Sequence, residues 1–191
     1  MAEIEIEWLK GAFVEEWNIL ATAQKGQERY VLRFLKSRGE FRRSGYRDVV
    51  LGYVADVPAF LDALESIRAE APQKLRSLGQ IVPLERNFEF DVADFRDRAK
   101  EAVVPYIDQL ENCRFFVRVV RRGHKGEISG METEKELDGF ILESLEKKGK
   151  QATVNIEEFE KMIIIETVEN RAGAGLITKE LKEKYPLVKV K

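Results

Sequence analysis

Cysteine is nearly missing from this chain. Cys113 stands alone in 191 residues, so no internal disulfide can form and no multi-cysteine zinc site can be built. Histidine is as scarce: His124 is the only one, and no grouping of His, Cys and carboxylate has metal-ligand spacing. Long apolar runs are lacking too. The stretch from Met162 to Ile165 falls far short of the roughly 20 residues a membrane span requires, and no basic-flanked apolar leader opens the chain. Neither sign of charge dominates: 32 Lys and Arg against 34 Asp and Glu leave a net charge of -2, so affinity for a polyanion must come from local patches. Together these absences predict a cytoplasmic protein with no membrane attachment, no metal and no cofactor. The 44% hydrophobic content is ordinary for a folded chain long enough for one large domain or two small ones.

What the sequence does hold is a basic strand, CRFFVRVVRRGHKG, from Cys113 to Gly126. Phe115, Val117 and Val119 share one face and Arg114, Phe116, Arg118 and Val120 the other. The strand runs into Arg121, Arg122, Gly123, His124, Lys125 and Gly126, with no acid in between. Guanidinium forks, an ammonium and glycine backbone at that density suit phosphate oxygens. The alternative is a buried strand whose arginines pair with acids from elsewhere.

Read in order, residues 1–16 form an acidic arm with five glutamates against one lysine. NILATA then reads as a strand, and QKGQERYVLRFLKSRG as a helix ended by Gly39. Its Arg29, Arg33 and Lys36 recur at intervals of four and three, a basic stripe on the side away from the core. EFRRSG and YRDVVLGYV form a hairpin around Ser44 and Gly45 that carries Arg42 and Arg43. A helix follows Asp56, with Phe60, Leu61, Leu64 and Ile67 on its apolar face, and an extended segment runs from Ile81 to Leu84 or on to Phe90. Strand, helix, strand, strand, helix, strand is the split βαβ order of ferredoxin-like folds.

The pattern then restarts. Asp91 or Asp94 caps a helix bearing Phe95, Ala99, Ala102, Val103 and Tyr106, bent near Pro105. After the basic strand and loop, a helix opens at about Thr133, with Thr133 and Glu136 spaced as a capping box and Leu137, Ile141 and Leu145 as its buried stripe. Ala152 to Asn155 is a short strand, and the MIII run places Lys161 to Glu169 at the centre of a sheet. ENRAGAGLIT turns through two glycines, and KELKEKY adds a last helical turn or two.

Three stretches concentrate basic charge: Lys25 to Arg47 with eight Lys or Arg and two acids, Arg114 to Lys125 with five and none, and Arg171 to Lys191 with six and two. The candidate polyanion contacts are Arg29, Arg33, Lys36, Arg42, Arg43, Arg114, Arg118, Arg121, Arg122, His124, Lys125 and Arg171. Arg121 and Arg122 are expected to reach solvent, so that their removal leaves the core intact. No Ser, Cys or carboxylate stands near His124 at a spacing that makes it a general base. Cys113 reads as a small apolar filler, and Gly123 to Gly126 matches the GXXG backbone clamp but leaves a strand, not a helix. Gly173-Ala174-Gly175 is part of a dinucleotide fingerprint without its third glycine.

The second half, FFVRVVRRGHKGEIS between two helices, then TVN, MIIIETVEN and AGAGL, resembles a THUMP domain. The first half is similar to the small ferredoxin-like subdomain that precedes THUMP in tRNA-modifying proteins. The resemblance implies an α/β (α+β) protein with three parts: the arm at 1–16, a ferredoxin-like βαββαβ subdomain at 17–90 and THUMP at 91–191. It further implies tRNA as partner. About sixteen residues follow Gly175, which leaves no room for a catalytic domain, so the arrangement is most similar to stand-alone adaptors that present tRNA to a separate enzyme for cytidine N4-acetylation. Two other readings stay open: a small nucleotide-binding enzyme using the Gly173 to Gly175 turn, and a protein-interaction subunit using the acidic arm.

Overall fold

A computed structural model describes residues 16–190, so the acidic arm lies outside the described residues except for Glu16. The first half folds as β1 (Ile19–Ala23), α1 (Glu28–Leu35), β2 (Glu40–Arg43), β3 (Val49–Tyr53), α2 (Val57–Glu70) and β4 (Leu78–Pro83). Its sheet has the order β2-β3-β1-β4 with every pair antiparallel, which is the ferredoxin-like arrangement. Val31 and Leu35, four apart on α1, turn into the core and leave Arg29, Arg33 and Lys36 exposed. Gly39 does not cap this helix, which ends at Leu35. Its use is close packing: a Cβ there would meet the Tyr53 carbonyl at 2.6 Å. Asp56 caps α2 by accepting from the Ala59 N–H at 2.8 Å, and Phe60, Leu61 and Leu64 are buried.

The second half continues with β5 (Arg86–Glu89), α3 (Phe95–Val103), a 3-10 helix (Val104–Leu110), β6 (Arg114–Val120), α4 (Gly130–Glu146), β7 (Thr153–Val154), β8 (Lys161–Val168), β9 (Arg171–Thr178) and α5 (Lys179–Lys184). Its sheet has the order β5-β9-β8-β6-β7, with β6 parallel to β7 and β8 and with β9 antiparallel to β8 and β5. The MIII strand is central, as its unbroken apolar run requires. Sheet pairing changes hands between Pro83 and Arg86, ahead of residue 90: β5 joins β9 and not the first sheet.

Two local expectations are corrected. α4 begins a turn before Thr133, because the Ser129 hydroxyl accepts from the Glu132 N–H; Thr133 is buried and its Oγ1 donates to the Ser129 carbonyl. Gly173 and Gly175 lie inside the eight-residue strand β9 and make no turn.

Alternation along β8 divides the interior in two. Met162, Ile164 and Val168 face the first sheet and join Trp17, Ile19, Leu20 and Ile81 in one core, while Ile163 and Ile165 face α3 and α4 with Phe95, Phe115, Leu137 and Ile141. The far end of the chain returns to the first sheet, where the Ile81 N–H donates to the Leu187 carbonyl at 2.8 Å. Among the described residues no helix is long and apolar enough to cross a membrane.

Candidate nucleic-acid interface

β6 delivers the chain to the basic loop, and the loop is held in shape by left-handed backbone at Gly123, His124 and Gly126, with φ of +95°, +49° and +87°. Arg121 donates through Nη1 to the Gly123 carbonyl. His124 is anchored: Nδ1 lies 3.3 Å from Glu127 Oε2, Nε2 lies 3.2 Å from Asn170 Oδ1, and the ring meets Phe90 edge-on. Lys125 is exposed, with no acid partner among the described residues. Arg122 overturns its expectation. It turns inward and donates to the carboxylate of Glu166, its side chain only 14% exposed and that of Glu166 fully buried. Glu166 sits on the central strand, where burial pushes its carboxyl up to about 7 against the pull of Arg122. Arg122 is therefore an internal counter-ion and not a phosphate contact.

Two further arginines of β6 are engaged by acids that arrive from distant segments. Arg114, at the start of the strand, lies 2.9 Å from Glu158 and 3.4 Å from Glu160, and its N–H donates to Glu160. Arg118 lies 3.4 Å from Glu134 on α4 and 5.5 Å from the Phe116 ring. The same helix closes the open edge of β6, for the Val117 and Val119 N–H groups donate to Asp138 and Glu134 at 2.9 and 2.8 Å. Burial raises the Asp138 carboxyl to about 6, with the Val117 bond opposing and the nearby charge of Glu134 adding. The uninterrupted basic run in sequence is thus interrupted in space, at its first half.

At the other end of β6 the two halves of the chain meet. The turn between β2 and β3 packs on the basic loop: a Cβ on Gly123 would lie 2.8 Å from the Tyr46 hydroxyl, and one on Gly45 would lie 3.7 Å from Glu169 Oε1. Arg42, half-buried, has no acid partner among the described residues; burial, and after it the positive charge of Arg171, holds it below its ordinary value. Arg171 itself reaches Glu89 at 2.7 Å. Arg43 lies 2.9 Å from Glu28, whose other oxygen accepts from the Asp48 N–H at 3.1 Å. That contact ties the turn to the start of α1, where Arg29, Arg33 and Lys36 are exposed and without acid partners among the described residues. A path of basic side chains therefore runs from Lys125 and Arg121, past Arg42, over the turn, to α1, with Arg171 and Arg43 along the way already paired to Glu89 and Glu28. Arg47 belongs to this path, 74% exposed at the turn and 3.5 Å from Asp48. It was legible as part of the Lys25 to Arg47 patch, yet only the turn's contact with the loop singles it out. Beyond Arg171 the third basic stretch goes elsewhere, since Lys179 and Lys182 line a cleft with Arg114, and Lys184 lies 3.1 Å from Asp62.

The nucleotide reading of Gly173 to Gly175 fails on geometry. A Cβ at Gly173 would meet Leu84 at 2.9 Å and Trp17 at 3.0 Å, and one at Gly175 would meet the Pro83 carbonyl at 2.8 Å. These glycines let the two sheets approach, and leave no cradle for a phosphate. Cys113 is half-buried at the helix-to-strand junction, its Sγ 3.5 Å from the Glu111 carbonyl.

No protein-family model and no curated protein matches the chain. Solved structures do. TrmN from Thermus thermophilus has a TM-score of 0.59 at 16% identity, over 84% of this chain and 45% of that one. PH1313 from Pyrococcus horikoshii Ot3 has a TM-score of 0.58 at 12% identity, over 85% and 55%. A 4-thiouridine synthetase, solved as an RNA complex with bound ATP, has a TM-score of 0.52 at 13% identity, over 85% and 42%. The chain spans about half the length of these proteins. Its expected lack of catalysis is overturned by this finding, because the fold recurs in a synthetase and in proteins described as methyltransferases. At these identities the fold is what is shared: a mixed α/β architecture of two sheets, ferredoxin-like and then THUMP-like.

Proposed function

We propose that this chain binds structured RNA, tRNA above all, as the recognition part of a tRNA-modifying system, and presents it to a modifying active site; cytidine N4-acetylation is the reaction the sequence resemblance favours. The observation that carries the reading is the packing of the β2–β3 turn on the basic loop, which brings the segment of exposed Arg47 and of half-buried Arg42, the latter without an acid partner among the described residues, against the loop of exposed Lys125. Phosphate oxygens accept from guanidinium forks in pairs and meet an ammonium as a point charge. An A-form helix offers phosphates and 2′-hydroxyls and hides its base edges, so recognition along this path is by shape. The 4-thiouridine synthetase of the same fold was solved with RNA, which supports the reading.

Anisotropy titrations of labelled tRNA across salt concentrations test it. Log affinity should fall linearly with log salt, and Arg47→Ala with Lys125→Ala should lower that slope by about two while leaving the urea midpoint unchanged. Affinity that is flat in salt, or absent at low salt, overturns the proposal.

A further inference from the structure

We infer that α1 carries a stacking subsite for one or two unpaired bases of a bound RNA, centred on Tyr30; the inference rests on the RNA reading above. Tyr30 is 59% exposed, the most exposed aromatic side chain among the described residues. A single exposed aromatic is unremarkable by itself. Its surroundings are what distinguish it. Phe34, four residues on and half-buried, lies on the same face of the helix, and the Arg38 guanidinium covers the Phe34 ring at 4.1 Å to the centroid. Arg38 is fixed in that pose by bonds of 2.8 Å to the Phe34 carbonyl and to Ser37 Oγ. Arg29 and Arg33 flank Tyr30, with Lys36 a turn further on, all three exposed and lacking acid partners among the described residues. The acid of the helix, Glu28, is already taken by Arg43 and by the Asp48 N–H.

An aromatic face, a planar guanidinium and unopposed cations in one strip are what an unpaired nucleotide needs. The base stacks on the ring and its phosphate meets the cations, with little preference among bases because each has a π-face. A duplex cannot use the ring, since its bases are already stacked. The helix is about 12 Å long, room for roughly two nucleotides. Tyr and Arg also serve at protein interfaces, so a protein partner is an outcome that the experiment separates from a nucleotide. The strip also continues the phosphate path: α1 starts at the Glu28 contact with the turn, and the turn packs on the basic loop. A structured RNA whose duplex lies on the loop and turn would place a single-stranded end or a flipped base on α1.

The test uses the full chain with Tyr30→Ala and Tyr30→Phe, and two probes of equal phosphate number: a blunt RNA duplex, and a duplex one base pair shorter that carries a two-nucleotide single-stranded 3′ extension containing 2-aminopurine. Tyr30→Ala should weaken binding of the extended probe by about five- to a hundredfold, the range that alanine substitution of a stacking ring gives. It should abolish any fluorescence change of the 2-aminopurine and leave the blunt duplex unaffected; Tyr30→Phe should restore both. Equal loss on both probes, or no loss on the extended probe, overturns the stacking subsite while leaving RNA binding standing. If the unsubstituted protein binds neither probe, the RNA reading fails with it. A protein that copurifies with the parent and is lost only in Tyr30→Ala, with both RNA affinities unchanged, makes α1 a protein-docking face and also overturns the inference.

Discussion

Arg121 and Arg122 are adjacent in sequence and opposite in role, because a strand alternates its faces until the sheet lets it go. Arg122 is the last residue still aimed at β8, and it meets a fully buried carboxylate there. Removing it strands Glu166 without a counter-ion, so Arg122→Ala should cost about 3–5 kcal/mol in urea unfolding. Arg121→Ala, which loses a local bond to its own loop, should stay near half a kcal/mol. Asp138 supplies a pH signature. Its carboxyl stands at about 6 in the folded chain against an ordinary 3.8, so the folded state binds its proton more tightly than the unfolded state. The contribution is fully present below about pH 4 and is lost as pH rises through 6. The parent should therefore lose stability relative to Asp138→Asn between pH 4 and 7, by about 1–2 kcal/mol once solvent screening is allowed for. Urea midpoints measured at several pH values for the two proteins check this; an unchanged difference would show that Asp138 titrates normally.

At the scale of elements, glycine has two unlike uses, and the contrast can be measured. Gly173 on β9 lies under Trp17 and Leu84, so Gly173→Ala overpacks the seam between the sheets and should cost about 1–3 kcal/mol. Gly139 lies within α4 with nothing within 4 Å of a Cβ, so Gly139→Ala should stabilise by about 0.5–1 kcal/mol through helix propensity. The start of α4 makes a third case. Thr133 and Glu136 have the spacing of a capping box, but Ser129 comes first and already satisfies an N–H at the helix start. Ser129→Ala should cost about 1 kcal/mol.

For the molecule as a whole, the shared core decides how it unfolds. Trp17, Ile19 and Ile81 of the first half pack in one cluster with Met162, Ile164 and Ile177 of the second, so the two sheets should melt in a single transition by near-UV dichroism and by tryptophan fluorescence alike. Two separated transitions would mean that the seam contributes little. The same seam sets the candidate interface, since Tyr46 on Gly123 brings the β2–β3 turn against the loop after β6. Patches more than seventy residues apart in sequence become one path, while Arg114, seven residues before Arg121, is left at the far end among Glu158 and Glu160.

The sequence by itself determined the elements and their core faces: the alternation of β6, the burial of the MIII strand, the stripes of α1, α2 and α4, and the βαββαβ order of the first half all follow from periodicity and caps, which act over a few residues. It also determined that positive charge is gathered in patches. Which of those charges is available was decided by tertiary structure alone. The carboxylates that neutralise the arginines of the β6 run come from 16 to 46 residues away, Glu134 for Arg118, Glu160 for Arg114 and Glu166 for Arg122. The same holds for β9, whose glycines have the composition of a turn and sit in a strand because Trp17, Leu84 and Pro83 require the room. Local pattern fixes what a segment can become, and the neighbour that packs or pairs with it fixes which of its side chains are spent on the fold and which remain for a ligand.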